Sequence, residues 1–405
     1  MENYEKVWIN ATITLFDKEN RLFTCKDYFL AIKKGKIAKI DKMIHFDKNC
    51  SQEIIDVEGR LMTPSLIDCH THLIYGGNRA HEFEQRLDGV TYADIAKSGG
   101  GIHATIRSTR KESFDCIYES SARRLEALIK EGVTSIEIKT GYGLDIDSEI
   151  KMLKIAEKLE QNYPIHIEKT FLGAHCVPPE YKNDSDSYIS YICENMMDAI
   201  ANLGLVTCVD VYCEHLAFNL EQTKRVFTKA KSLGLDVKIH ADQFSQMGAT
   251  KLACQFGALS CDHLEYTDEN SAKAMAKSGS VAVLLPGAYY FLRETKMPPI
   301  ELFRKYNVKM AIATDLNPGT SPLCSLLLML NMSSVIFGLN VSEAFLAVTK
   351  NAAEALGLGK CKGSLEEGYD ADFCVWDAEH PRDLVCSFMP NFLHYSVKGG
   401  ERVHV

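Results

Sequence analysis

The fold is decided by residues 66–73, Leu66-Ile67-Asp68-Cys69-His70-Thr71-His72-Leu73, an apolar run that ends in two histidines separated by one residue. In a β-strand, residues two apart point to the same face. Two imidazoles on one face can bind a single divalent metal ion, and imidazole suits zinc or iron. A His-x-His pair alone is a weak signal, so its interpretation depends on what the other strands contribute.

Seven further strand-like runs follow this one, and helical patterns separate them. The runs span residues 135–139, 165–172, 208–213, 236–240, 258–263, 281–285 and 308–313. Helical patterns cover 148–161, 218–233, 244–257, 268–278 and 322–337. With the His-x-His strand this makes eight βα repeats, which predict an α/β protein whose (β/α)8 TIM barrel covers residues 61–350.

The two ends of the chain predict a second, smaller domain. Residues 1–60 and 351–405 both contain short alternating strands separated by turn signals. Neither segment has enough strands for an independent sheet. We therefore expect one composite β-sandwich built from the N- and C-terminal segments.

Composition excludes several classes of partner. The 405 residues carry 45 basic and 54 acidic side chains, a net charge of −9, with no basic run, which disfavours nucleic acid and anionic membranes. The 14 cysteines form no CxxC pair, a usage typical of reduced, buried thiols. No apolar run reaches membrane-spanning length and no targeting segment is evident. We expect a cytoplasmic protein with no membrane partner.

Histidines and one aspartate collect at the ends of the predicted strands. In such barrels the active site lies at the C-terminal ends of the strands. A lone strand-end histidine is more often a structural hydrogen-bonding residue than a ligand, and that interpretation is kept for His166 and His215. For Asp315 the alternative is a turn or helix N-cap. The residues at this rim are His70, His72, His175, His215, His240, His263 and Asp315.

This constellation resembles the amidohydrolase superfamily. Loop segments 75–83, 139–144, 170–175, 240–243 and 314–320 narrow the resemblance to the imidazolonepropionase family, and it spans nearly the whole chain. It implies one divalent metal per chain, Zn2+ or Fe2+/Fe3+. The implied ligands are His70, His72, His240 and Asp315. Dinuclear relatives carry a carboxylated lysine at the end of the fourth strand; residues 211–215 contain none, which favours a mononuclear site.

The resemblance also implies the reaction and a homodimer. It implies a hydrolase acting on the C–N bond of a cyclic amide, 4-imidazolone-5-propanoate, with N-formimidoyl-L-glutamate as product. A metal at this site lowers the pKa of water and supplies hydroxide near neutral pH. Asp315 is expected to accept the water proton, and His263 to polarise the carbonyl or stabilise the oxyanion. Which residue protonates the leaving nitrogen stays open.

The remaining site residues are predicted to bind the small-molecule substrate. Arg79 can pair the propanoate bidentately; the alternative is a surface salt bridge. Gln243 occupies a position where some relatives carry an acid/base glutamate. An amide cannot shuttle a proton at neutral pH, so Gln243 is assigned a positioning role. The other predicted substrate contacts are Tyr142, His175, Asn317, Gly319 and Thr320.

Two other functions compete with this interpretation. The nearer one is another mononuclear amidohydrolase, such as an aminoimidazole, purine or pyrimidine deaminase, which would release ammonia. Gln243 lowers the odds of a deaminase, because the acid/base group is missing there. The other is a catalytically silent barrel that acts as a binding protein. The presence of all four implied metal ligands weighs against a silent barrel.

Overall fold

A parallel barrel forms the centre of the computed structural model, which describes residues 3–404 except 91–93, 96–98 and 388–389. Its eight strands are hydrogen-bonded in chain order from β6 to β13. Asp315 N donates to the His70 carbonyl and His72 N to the Leu316 carbonyl, both at 3.0 Å, and these bonds join the first strand to the last. The predicted TIM barrel is confirmed. The strands are β6 (Leu66–Asp68), β7 (Val133–Lys139), β8 (His166–Ala174), β9 (Cys208–Cys213), β10 (Asp236–Ala241), β11 (Ser260–His263), β12 (Val281–Leu284) and β13 (Met310–Ile312).

Helices cover the outside of the barrel. The strands are therefore buried on both faces, as in other parallel sheets; every residue of β7, for example, is buried. The described α-helices are α1 (Ala80–Leu87), α2 (Ile102–Lys111), α3 (Phe114–Ile129), α4 (Ile146–Asn162), α5 (Ser185–Tyr191), α6 (Met197–Ala201), α7 (Leu220–Ser232), α8 (Ala249–Gln255), α9 (Glu269–Ser278), α10 (Pro286–Leu292), α11 (Ile300–Tyr306), α12 (Leu326–Phe337), α13 (Val341–Ala347), α14 (Lys350–Ala355) and α15 (Pro381–Cys386). Among the described helices, none is long and apolar enough to cross a membrane.

Both ends of the chain contribute to a second sheet, as the sequence predicts. Its eight strands form one hydrogen-bonded sheet in the order β16-β15-β14-β5-β1-β2-β3, and β4 also pairs with β1. The side chains of Trp8 and Phe373 pack edge to face in its core, with ring centroids 5.0 Å apart. The strands are β1 (Tyr4–Phe16), β2 (Leu22–Lys33), β3 (Lys36–Lys42), β4 (Ser51–Asp56), β5 (Leu61–Pro64), β14 (Phe373–Trp376), β15 (Leu393–Lys398) and β16 (Glu401–Arg402).

We propose that the chain divides into a barrel of residues 61–350 and a composite β domain of 1–60 and 351–405. Two elements connect them. Strand β5 hydrogen-bonds to β1 and β14 in the terminal sheet and leads directly into β6 of the barrel. Helix α14 packs against the barrel strands β12 and β13. The composite domain therefore lies beside the first and last barrel strands.

Candidate active site

Four donor atoms converge at the C-terminal end of the barrel. Nε2 of His72 lies 3.3 Å from Nε2 of His240. Oδ1 of Asp315 lies 3.4 Å from Nε2 of His70 and 3.5 Å from Nε2 of His72. All four residues are at least 97% buried. The structure thus brings together the four ligands that the resemblance implies.

The spacing of these atoms suits one divalent metal ion. Zinc binds imidazole nitrogen and carboxylate oxygen at 2.0–2.2 Å, so tetrahedral donors lie about 3.3–3.6 Å apart. Three separations between donor atoms, 3.3, 3.4 and 3.5 Å, fall in this range, and the donor nitrogens of the three histidines all lie within 4.8 Å of one another. Nε2 of His70 is buried without a hydrogen-bond partner among the described residues. A buried nitrogen of this kind is available to a metal ion.

The imidazoles of His70 and His72 are held in the protonation state that a metal requires. Burial lowers the pKa of both His70 and His72 well below the ordinary value of 6.5, so both rings are neutral at pH 7. Nδ1 of His70 lies 2.6 Å from Oδ2 of Asp262, and Nδ1 of His240 lies 3.0 Å from Oδ2 of Asp210. Such carboxylates fix the tautomer of a ligand histidine and direct its other nitrogen to the metal.

Asp315 is held in an uncommon backbone conformation at the barrel seam. Its φ is +50°, a left-handed conformation that aspartate adopts more readily than most residues. Its N–H donates to the His70 carbonyl at 3.0 Å, which places its carboxylate beside the histidines. Burial raises the pKa of the Asp315 carboxyl well above 3.8, and a cation beside it would act in the opposite direction.

His263 lies beside the four donors without joining them. Its ring centroid is 5.4 Å from that of His240 and 6.0 Å from that of His70. Its φ is +81°, a strained conformation of the kind that clusters at active sites. Burial lowers its pKa well below 6.5, so the ring is neutral. Its Nδ1 has no hydrogen-bond partner among the described residues.

Tyr142 and His175 form one wall next to the metal ligands. The rings of His175 and His72 stack with centroids 5.1 Å apart and planes 14° apart, and Tyr142 lies 5.3 Å from His175. Nδ1 of His175 lies 3.0 Å from the Gly141 carbonyl. Burial among these groups lowers the pKa of His175 to about 3. The wall therefore presents aromatic rings that are uncharged at pH 7.

A buried glutamate holds the loop that carries Tyr142. Glu149, in the first turn of α4, accepts hydrogen bonds from the N–H groups of Gly143 and Leu144, both at 2.8 Å, and of Gly141 at 3.1 Å. Burial raises the pKa of this carboxyl. A Cβ at position 143 would lie 2.6 Å from Glu149 N, so only glycine fits there. The clamp fixes the backbone on both sides of Tyr142.

Arg79 borders a cavity among the rim loops, and none of the four donor residues is part of its lining. The cavity measures about 310 Å³, and its walls include Tyr75, Arg79, Phe291 and Gly319. Glu82 binds Arg79 with one oxygen, Oε2, which accepts from Nε at 2.9 Å and lies 2.7 Å from Nη2. The Nη1 side of the guanidinium faces Gly319, where a Cβ would lie 2.0 Å from Nη1.

The remaining predicted contacts lie on two rim loops. Oε1 of Gln243 accepts a hydrogen bond from the Tyr212 hydroxyl at 2.9 Å. Asn317 folds its own loop: its Oδ1 accepts from the N–H groups of Gly319 and Thr320 at 2.8 and 2.7 Å. Its Nδ2 donates to the Asp315 carbonyl at 2.7 Å. Asn317 therefore couples the loop to the carboxylate that borders the metal site.

Comparison with known proteins decides the family. The amidohydrolase family profile matches residues 61–402. An imidazolonepropionase from Hahella chejuensis is 50% identical over 396 residues, covering 97% of this chain and 98% of its own. An imidazolonepropionase from Shewanella loihica is 47% identical over 407 residues, covering 99% and 100%. The chain belongs to the imidazolonepropionase family of amidohydrolases.

Solved structures confirm the fold that this imidazolonepropionase family member shares with other amidohydrolases. A 5-methylcytosine deaminase from Klebsiella pneumoniae superposes with a TM-score of 0.75 and covers 98% of this chain and 97% of its own. Its sequence identity is 16%. This likeness shows the fold alone.

In this imidazolonepropionase family member, the sequence analysis did not predict a layer of charged residues below the four donor residues. Glu137, Lys139, Asp210, Lys238 and Asp262 are at most 1% exposed. Their signal was present in the sequence, because strands of a parallel barrel are buried on both faces and a charged residue within one must find a partner inside. Two histidines lie off the site: His215 is exposed and contacts Glu214, and His166 contacts Glu168.

Proposed function

We propose that the protein hydrolyses a ring C–N bond of 4-imidazolone-5-propanoate and releases N-formimidoyl-L-glutamate. The observation that carries the proposal is the near-full-length identity of 47–50% with imidazolonepropionases. The likeness to the deaminase structure is far weaker, at 16% identity. The chain is thus a hydrolase of a cyclic amide.

We infer that the metal is zinc or iron and that His70, His72, His240 and Asp315 hold it. Three imidazoles and one carboxylate suit either ion. When bound, the ion would lower the pKa of water and make hydroxide available near neutral pH. The donor spacing and the buried nitrogen of His70 support this assignment.

Asp315 and His263 are assigned the proton and oxyanion roles. Asp315 can accept the proton of the attacking water, because its carboxylate borders the donor cluster. His263 is neutral, buried and adjacent, so one ring N–H can donate to the carbonyl oxygen as negative charge develops on it. Breaking the ring C–N bond then opens the ring, and the leaving nitrogen takes up one proton in place of the one that the water gave up.

Arg79 is assigned to the propanoate. Its guanidinium is oriented by Glu82 and borders the cavity, so a carboxylate there would meet a fixed cation. Tyr142 and His175 supply ring contacts from the wall next to His72. The further contacts assigned to the substrate are Gln243, Asn317, Gly319 and Thr320.

A ring-opening assay tests the proposed function. Freshly generated 4-imidazolone-5-propanoate is added with and without a chelator, and loss of its ultraviolet band is followed together with formation of formimidoylglutamate and ammonia. We expect turnover that stops when the chelator is added and that releases no ammonia. Arg79→Lys should keep metal and chiefly raise KM. Ammonia release or no turnover by metal-loaded protein would contradict the proposal. The homodimer and the cytoplasmic location stay predictions, tested by sedimentation equilibrium and cell fractionation.

A further inference from the structure

One buried ammonium group contacts the partners of two metal ligands. Nζ of Lys139 lies 2.7 Å from Oδ2 of Asp210 and 3.4 Å from Oδ2 of Asp262. The same oxygen of Asp210 lies 3.0 Å from Nδ1 of His240, and the same oxygen of Asp262 lies 2.6 Å from Nδ1 of His70. A single carboxylate residue therefore lies between Lys139 and each of two proposed ligands: Asp210 before His240, and Asp262 before His70.

We propose that Lys139 is a positioning residue for the metal centre. Its ammonium holds the Asp210 and Asp262 carboxylates so that each faces an imidazole Nδ1–H. This arrangement fixes the tautomer of His240 and His70 and directs both Nε2 atoms to the metal. The inference rests on the metal site of the proposed function, and it adds the residue that aligns two of its four ligands.

Lys139 keeps its charge in this position. Burial lowers its pKa, but the carboxylates of Asp210, Glu137 and Asp262 outweigh burial and raise the pKa well above 10.5. Its third contact is to Oε2 of Glu137 at 3.0 Å. Three carboxylates thus lie within 3.4 Å of one ammonium, and Asp210 accepts a hydrogen bond from it at 2.7 Å. An isolated buried ammonium would be expected to lose its proton.

The barrel offers a matched control at Lys238. Its side chain is as buried as that of Lys139, at 1% against 0% exposure. Nζ of Lys238 lies 2.7 Å from Oε2 of Glu137 and 3.1 Å from the Cys69 carbonyl. Within the described residues it forms no ion pair with Asp210 or Asp262. Removing either lysine leaves a buried carboxylate without one of its cationic contacts. Only Lys139, however, contacts Asp210 and Asp262, the carboxylates beside His240 and His70.

Two effects of removing Lys139 predict opposite changes in metal affinity. Loss of a nearby positive charge would by itself strengthen the binding of a cation. Loss of a group that orients a metal ligand typically weakens metal binding 10–100-fold, and Lys139 is expected to act in this way through Asp210 and Asp262. The proposal requires the second effect to dominate. The direction of the change therefore separates a positioning role from a simple charge effect.

The test measures zinc affinity of the purified protein by competition with a chromophoric chelator, with Zn2+ alone as the probe. We expect Lys139→Met to weaken zinc binding about 10–100-fold, and Lys238→Met to change it less than about threefold at a similar loss of thermal stability. Equal weakening in both variants, or tighter binding by Lys139→Met, would overturn the proposal. Failure of the wild-type protein to bind zinc would instead refute the metal site of the proposed function.

A second measurement starts from the wild-type protein and does not depend on the folding of Lys139→Met. Wild-type protein with 15N-labelled histidine should show Nδ1–H proton resonances from His70 and His240. The resonance of His70 should be the further downfield, because its Nδ1 is hydrogen-bonded to Asp262, whereas Nδ1 of His240 lies 3.0 Å from Asp210 without hydrogen-bond geometry. Asp262→Asn should shift one of them and Asp210→Asn the other. If the wild-type spectrum places the protons of these two rings on Nε2, the positioning role is wrong.

Discussion

A methyl group at position 319 is expected to displace Arg79. In Gly319→Ala, the Cβ would lie 2.0 Å from Nη1 of Arg79 and 2.9 Å from its Cζ. Non-bonded heavy atoms of this kind prefer about 3.5 Å, so the guanidinium must move by about 1.5 Å. The backbone of Gly319 lies outside the left-handed region, so alanine is compatible with the loop itself. The effect is therefore confined to the contact with Arg79.

The size of the effect follows from what holds Arg79. The Glu82 carboxylate contacts Nε and Nη2 at 2.9 and 2.7 Å, so the guanidinium cannot shift without losing Glu82 or its place at the cavity. A hydrogen bond to a charged group contributes about 1.5–3 kcal/mol, and 1.36 kcal/mol corresponds to a factor of ten. We expect kcat/KM for 4-imidazolone-5-propanoate to fall about 10–100-fold, mainly through KM.

A double-mutant cycle distinguishes this mechanism from a general disturbance of the loop. Steady-state kinetics are compared for Gly319→Ala, Arg79→Met and the double variant, together with Tm. Because alanine fits the backbone, Tm should stay within about 3 °C of wild type. In the Arg79→Met background, Gly319→Ala should have almost no further effect. An equal effect of Gly319→Ala in both backgrounds would show that the reasoning about Arg79 is wrong.

Three further predictions address the metal, the loop clamp and a buried acid. His72→Ala should abolish both metal content, measured by elemental analysis, and turnover; retained stoichiometric metal would contradict the ligand assignment. Glu149→Gln should raise KM about tenfold with a smaller change in kcat. The amide keeps only one acceptor oxygen for the backbone donors around Tyr142, so it holds the loop less tightly. A change in kcat alone would contradict the clamp role. Burial raises the pKa of Glu265 from 4.5 to about 8. This carboxyl therefore ionises at a lower pH in the unfolded chain than in the folded protein. The free energy of unfolding of the wild type should fall relative to that of Glu265→Gln as the pH rises from about 4.5 to 8. Urea denaturation at stepped pH checks the sign, and a constant difference would contradict the burial argument.

The barrel and the approach of its rim residues could be predicted because local patterns determine both, and the resemblance selected the four proposed metal ligands among them. Strand and helix periods alternate eight times, and short connections between parallel strands admit few topologies. Once the barrel is assumed, the C-terminal end of each strand lies at a known rim. The strand order alone therefore predicts that four rim residues lie close together, before any distance is known: His70, His72, His240 and Asp315. The separations of 3.3–3.5 Å in the structure agree with that inference.

Contacts between distant parts of the chain could not be predicted in the same way. Strand β5 lies between β1 and β14, although nothing local in residues 61–64 selects that neighbour. Glu82 and Gly319 are 237 positions apart, and both determine where Arg79 points. Such pairings depend on the completed tertiary fold, because neither residue type nor spacing specifies the partner.

The charged layer below the metal ligands shows why the barrel interior differs here from an ordinary apolar core. Barrel interiors are mostly filled by branched apolar side chains, and replacing a buried ion-pair cluster by apolar residues is often neutral or stabilising. Stabilisation of the fold is therefore a weak explanation for the presence of Lys139 and its carboxylates. Their contacts to the partners of His70 and His240 give a functional one. An apolar repacking of this layer should consequently preserve or raise thermal stability while it weakens metal binding.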